Sequence, residues 1–152
     1  KMNKKRPFSL ILLVVLLVVI GIGGIISGLM LFLAPDGSLM QMPVDVLDGS
    51  PFPDFLIPGI ILFLFIGIFP VLAGFSLVRK PAWQWPDALN PIKDTHWAWA
   101  ASWAAGVIML IWIIAETIML GYISFLQPLI AVWGIAIIVL SLLPDVRRTV
   151  KR

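Results

Sequence analysis

Four apolar runs, at 8–34, 55–78, 96–120 and 123–143, dictate what this chain can fold into, because each approaches or exceeds the length needed to cross a bilayer. A hydrocarbon core of about 30 Å takes about 20 helical residues. Acids and bases are almost confined to the segments between the runs. Glu116, the only Glu in the chain, is the exception, apart from His96 at the very edge of the third run. With 61% hydrophobic and 12% charged residues, the composition lies outside the range of soluble domains. In lipid every backbone polar group must be satisfied within the segment, so apolar runs of this length become helices. The expected fold is all-α: a polytopic integral membrane protein, four transmembrane helices in an antiparallel bundle, forming one domain over 1–152.

The connecting segments predict which side faces the cytoplasm. All eleven Lys and Arg lie before the first run, in the connection at 79–95, or after the fourth run. The connection at 35–54 holds Asp36, Asp45, Asp48 and Asp54 and no base. Positive residues stay on the cytoplasmic side, so both termini and the 79–95 connection are expected there and 35–54 is the outer loop. The net charge of +3 is thus read as a topology signal. It implies no nucleic-acid partner. The first run is too long for a signal peptide and lacks a small-x-small cleavage site, so it is expected to remain as an anchor in a cell membrane, the bacterial inner membrane. Met2 is expected to be the natural start, with Lys1 a remnant. There are no cysteines, which excludes disulfides, thiolate metal sites and Cys nucleophiles.

Several local features predict packing. Gly21, Gly24 and Gly28 recur at three and four residues and share one helix face, with Gly23 and Ser27 beside it; such a face lets another helix approach closely, either within the chain or in a dimer. In the second run Gly67 and Gly74 share a face, Pro58 is expected to delay the start of the helix, and Pro70 is expected to kink it. Met40 to Val46 alternate apolar and polar side chains, the pattern of a short extended piece. Asp48-Gly49-Ser50-Pro51 reads as a turn, and Asp54 as a cap for the second helix. Asn90-Pro91 reads as the start of the third helix, ahead of an aromatic belt of Trp83, Trp85, Trp97, Trp99 and Trp103 at headgroup level. Residues 145–152 form a basic tail.

Chemistry-bearing residues are few. Ala98, Ser102, Ala105, Met109, Trp112 and Glu116 lie on one stripe of the third helix, which should face the other helices and take Glu116 away from lipid. Gln127 stands about one turn into the fourth run, at a similar distance from the outer edge, so a Glu116–Gln127 hydrogen bond is predicted, with Tyr122 or Thr117 beside it. Glu116, Gln127, Tyr122 and Asp54 are therefore the candidates for binding a ligand or a proton, and a purely structural Glu116 that fixes helix register is the alternative. Met30, Met40, Met42 and Met119 fall toward the outer side, where thioethers suit Cu(I), but flexible apolar packing is the default use of Met. Metal-ligand spacing is lacking, so no metal or other cofactor is expected. A lone histidine, His96, is expected to serve a polar role at the interface.

Ser50-Pro51-Phe52, Ile57-Pro58-Gly59, Glu116 and Leu126-Gln127-Pro128 together resemble a pattern in small, uncharacterised four-span membrane proteins of bacteria. That resemblance implies a fold and no activity. Neither a nucleophile with its base, nor paired intramembrane carboxylates, nor a phosphate-cradling loop is present, so the chain is not expected to be an enzyme. The expected function is a non-catalytic membrane bundle that binds a partner protein, a lipid or a small ligand through its outer loop and outer end. Membrane lipid surrounds it in either case, and a second copy of the chain is a further candidate partner. The alternative is a small ion- or proton-coupled transporter or channel using Glu116.

Overall fold

The computed structural model describes residues 7–39, 41, 43–80, 84–90, 95–121 and 125–151, and for Trp85 the backbone alone. Among these residues the chain is helical, with a single isolated bridge between Thr95 and Lys151. The long helices are α1 (Phe8–Leu33), α2 (Leu56–Arg79), α4 (Trp97–Leu120) and α5 (Leu126–Leu142); α3 (Gln84–Leu89) and α6 (Pro144–Val150) are short. Helices α1, α2 and α4 are each long and apolar enough to cross a membrane. The fourth candidate is α5 joined to α6, which turns away from it by 64°. Helix α1 packs on α2 and α5, and α4 packs on the same two, so the four long helices form a closed ring.

Small residues decide how close the first pair comes. Leu10, Leu13, Leu17, Gly21, Gly24, Gly28 and Leu31 form the buried stripe of α1. A methyl group placed on Gly24 would lie 2.5 Å from the Ile66 carbonyl oxygen, and one on Gly28 would lie 2.6 Å from the Phe63 nitrogen. From the other side, one on Gly67 would lie 2.8 Å from the Ile25 nitrogen. The glycine face predicted in α1 is thus filled by α2 of the same chain, backbone against backbone. Between lipid-solvated helices such contact is a main source of association, because burial from water contributes little there.

One expectation for α2 is corrected. The helix starts at Leu56, ahead of Pro58, because Pro58 falls in the first turn, where its missing N–H has no intrahelical partner to lose. Asp54 serves this start by accepting a hydrogen bond from the Leu56 N–H at 3.0 Å. Pro70, the expected site of a kink, lies inside one continuous run of helical residues. Residues Leu62–Ile68, just before it, form a π-helical stretch, and α-helical geometry resumes at Phe69. The proline's missing hydrogen bond and its clash with the preceding turn are taken up by that wider stretch.

The outer loop also differs from expectation. Val44–Leu47 is a 3-10 turn and not an extended piece, with Pro43 in extended geometry leading into it. The apolar residues still find cover: Leu47 and Phe55 bury against Leu31, with Val44, Val46, Phe52 and Leu120 around them. Phe55 N–H donates to the Pro35 carbonyl at 2.9 Å, closing the loop on itself. Asp45 and Asp48 remain exposed.

The third long helix begins at Trp97 and not at Asn90. His96 is its cap: its backbone is extended and its Nδ1 accepts from the Ala98 N–H at 3.1 Å. Thr95 and His96 are tied to the returning C-terminal chain, with the His96 N–H donating to Val150 O at 2.7 Å and Thr95 bridging Lys151. Residues 145–151 are accordingly no loose tail. Pro144 disfavours helical geometry at Leu143, which is extended, so α5 stops there and α6 restarts with Pro144 in its first turn. Val146 and Val150, four apart, then bury into the main core beside Leu10, Leu77, Trp97 and Trp99. Trp97 and Trp99 are consequently buried and do not line the surface as a belt.

Candidate functional site

The Leu120 end of α4 and the Leu126 end of α5 carry Glu116, the acid of the third apolar run. Helix α4 puts Ala98, Ser102, Ala105 and Met109 in the core, each with no exposed surface, and continues the stripe to Trp112 and Glu116, which are half-buried. The pair closes tightly further in, where Gly106 and Gly134 meet: a methyl group on Gly106 would lie 2.8 Å from the Gly134 carbonyl oxygen. Seen outward from that crossing, the stripe passes from fully buried to partly open, and Glu116 sits in the open part, one turn before Leu120.

Gln127 completes the pair. It is 4% exposed, so its amide needs partners within the protein. Its Nε2 donates to the Gly121 carbonyl oxygen at 3.0 Å, and its side chain also hydrogen-bonds Glu116. Gly121, with φ of 76° in an extended positive-φ conformation that glycine alone adopts readily, ends α4 and exposes that carbonyl to Gln127. The amide thus ties the end of one helix to the start of the next and holds the carboxyl group at their junction. Thr117, exposed and next to Glu116 in the chain, spends its hydroxyl on the Ile113 carbonyl at 2.7 Å.

The other candidates separate. Asp54 is committed to the start of α2, and among the described residues no hydrogen bond or ion pair links it to Glu116. Tyr122, Met40 and Met42 lie outside the described residues. Among the described residues no three His, Cys, Asp or Glu side chains come together as a metal site would require. In the outer loop the Asp36 carboxylate accepts the Ser38 backbone N–H at 3.0 Å, which holds Asp36 below the usual carboxylate range.

Three polar ties between helices carry no local sequence signal. Trp99 Nε1 donates to the Ser141 carbonyl at 2.7 Å, joining α4 to α5. Trp133 Nε1 donates to the Leu16 carbonyl at 3.1 Å, joining α5 to α1. Lys80, whose own left-handed backbone caps α2, donates through Nζ to the Thr149 carbonyl of α6. An isolated Trp in an apolar run gives no sign of which neighbouring carbonyl it will reach. Gly106 and Gly134 carried the only usable signal, as single glycines inside long helical runs. Comparison with protein-family models, with curated proteins and with solved structures finds no match for this chain.

Proposed function

We propose that this chain is a four-span helical bundle of a cell membrane, the bacterial inner membrane, with both termini cytoplasmic. In this reading it is a non-catalytic binding protein that takes a ligand at its outer end. The observation that carries the reading is the Glu116 carboxyl group, kept half-buried by Gln127 where α4 passes to α5. An acid in a membrane helix is costly unless partnered, and it marks a functional position by default. Gln127 supplies one partner and leaves further acceptor capacity on the carboxyl oxygens. The fitting ligand is a group that donates hydrogen bonds or carries positive charge, on a small molecule, a lipid or a partner protein. Next to it the outer loop is packed in place through Leu47 and Phe55 and displays Asp45 and Asp48, which suits a contact surface.

Native mass spectrometry of the protein extracted gently from its own membrane tests this. The expected spectrum carries an additional mass in fixed proportion, absent from Glu116→Gln. A bare wild-type chain, monomeric or self-associated, together with a pH-gradient-driven flux in proteoliposomes that Glu116→Gln abolishes, would overturn the binding reading in favour of transport. The topology has its own check. A cysteine introduced at Ser38 should react only with reagent added from outside the cell.

A further inference from the structure

The inner end gathers cations from two distant parts of the chain. Lys80 reaches the Thr149 carbonyl, which fixes the C-terminus of α2, with Arg79 and Lys80, beside α6, with Arg147, Arg148 and Lys151. All five of these residues are exposed, whereas Val146 and Val150 on the opposite side of α6 are buried. Helix α6 is therefore amphipathic, glued to the core by its valines and basic on its outer face. Its 64° turn from α5 tips it toward the membrane plane when α5 stands across the bilayer. The Arg147 guanidinium lies 5.5 Å from the centre of the Trp99 ring, and Trp99 is itself anchored to Ser141. Against these cations the described residues of α6 offer one acid, Asp145, which pairs with Arg148.

We infer that the basic face of α6, with Arg79 and Lys80 at the end of α2, is a docking site for the headgroup of an anionic phospholipid in the inner leaflet. The site lies at the opposite end of the molecule from Glu116 and does not depend on what binds there. Three features favour a lipid phosphate over a diffusing anion. The cations stand at the end of the apolar helix α2 and just beyond the end of α5. The buried valines hold α6 against the ends of the spans, at headgroup depth. The exposed apolar flanks Leu72, Phe75 and Leu142 lie within about two turns of the cations along α2 and α5 and supply a surface for acyl chains. A guanidinium stacked on an indole keeps its edge donors available for phosphate oxygens while losing conformational freedom.

The test uses the full chain in neutral detergent, titrated with phosphatidylglycerol or phosphatidylcholine of the same acyl chains and read by native mass spectrometry. Each juxtamembrane cation contributes about fivefold to the affinity for anionic lipid, so two of the five engaging one headgroup should make wild type prefer phosphatidylglycerol by about 25-fold. The triple variant Arg147→Gln/Arg148→Gln/Lys151→Gln should lose most of that preference. Arg147→Lys/Arg148→Lys, which keeps the charge, should retain most of it, with melting in phosphatidylcholine unchanged. Equal binding of the two lipids by wild type, or a preference that survives the triple variant, would overturn the proposal. Inorganic phosphate at millimolar concentration should not displace the lipid; displacement would show that a free anion is the ligand.

Discussion

The two helix seams that run the length of the molecule are built differently. Between α1 and α2 the contact is dry and glycine-lined, with Gly24, Gly28 and Gly67 bringing backbone against backbone. Between α4 and α5 there is one close crossing, at Gly106 and Gly134, with polar pairs on either side of it: Trp99 with Ser141 inward, Glu116 with Gln127 outward. The first seam is fully occupied by its own packing. The second holds its helices by a smaller crossing and by hydrogen bonds, and its outward part stays partly open. A membrane bundle has two ways to associate helices, and only the polar one leaves chemical groups that a ligand can use.

The largest effect should come from the first seam. Gly24→Ala places a methyl group 2.5 Å from the Ile66 oxygen, and backbone atoms on both sides cannot move aside as a side-chain tip would. A loss of about 3 kcal/mol is expected, the upper end of overpacking costs, measured by unfolding in mixed micelles. If the loss were no greater than that of a polar substitution in the second seam, the ranking of the two seams would be wrong. Next in size is Trp99→Phe, which keeps most of the ring packing and removes the N–H donated to Ser141. Hydrogen bonds between membrane helices average about 0.6 kcal/mol and reach about 1.7, so a loss of about 1 kcal/mol is expected. Loss of Arg147 from the indole face should accompany it.

The helices were legible in the sequence because lipid leaves few alternatives: the apolar runs and the helices α1, α2, α4 and α5 agree to within a few residues. The α1 glycine face was legible too, since a three-four repeat fixes a direction, although the choice between an internal partner and a second chain needed the structure. What stayed hidden were features decided by the return of the C-terminus. Pro144 announced the end of α5, but nothing in residues 145–151 alone says that Val146 and Val150 will bury beneath Trp97. The late start of α4 goes with the same return. Asn90-Pro91 is a sound local helix start, whereas the long helix is capped at His96, whose N–H is tied to Val150. At the candidate site, helix periodicity placed Glu116 and Gln127 on neighbouring faces, while the Gly121 carbonyl that orients Gln127 depends on a positive-φ backbone at that glycine.

Glu116→Gln sharpens the second seam. An amide keeps the shape of the carboxyl group and can still accept a hydrogen bond from Gln127, so the cost in stability should be about 0.5 kcal/mol or less. A loss of 2 kcal/mol or more, with no change in bound mass, would assign Glu116 to holding the two helices in register. Small change in stability with loss of the adduct assigns it to the ligand. The two readings of this residue thus separate by comparing one variant in two measurements.

The smallest effect is the most direct check on which face of α1 is occupied. Gly23 neighbours Gly24 in the chain, yet a methyl group there meets nothing within 4 Å, and the residue is exposed. In the membrane this position faces lipid, where alanine costs nothing in packing and relieves some of the backbone entropy of glycine. Gly23→Ala should therefore change stability by no more than about 0.5 kcal/mol, in the stabilising direction if at all. The same substitution one residue apart on one helix is then expected to differ by several-fold in its effect. Should Gly23→Ala destabilise as much as Gly24→Ala, the outer face of α1 must also be covered. With Ser27 one turn further along that face, the occupant would be a second copy of α1, and the variant's shift from dimer to monomer in the same micelles would show it.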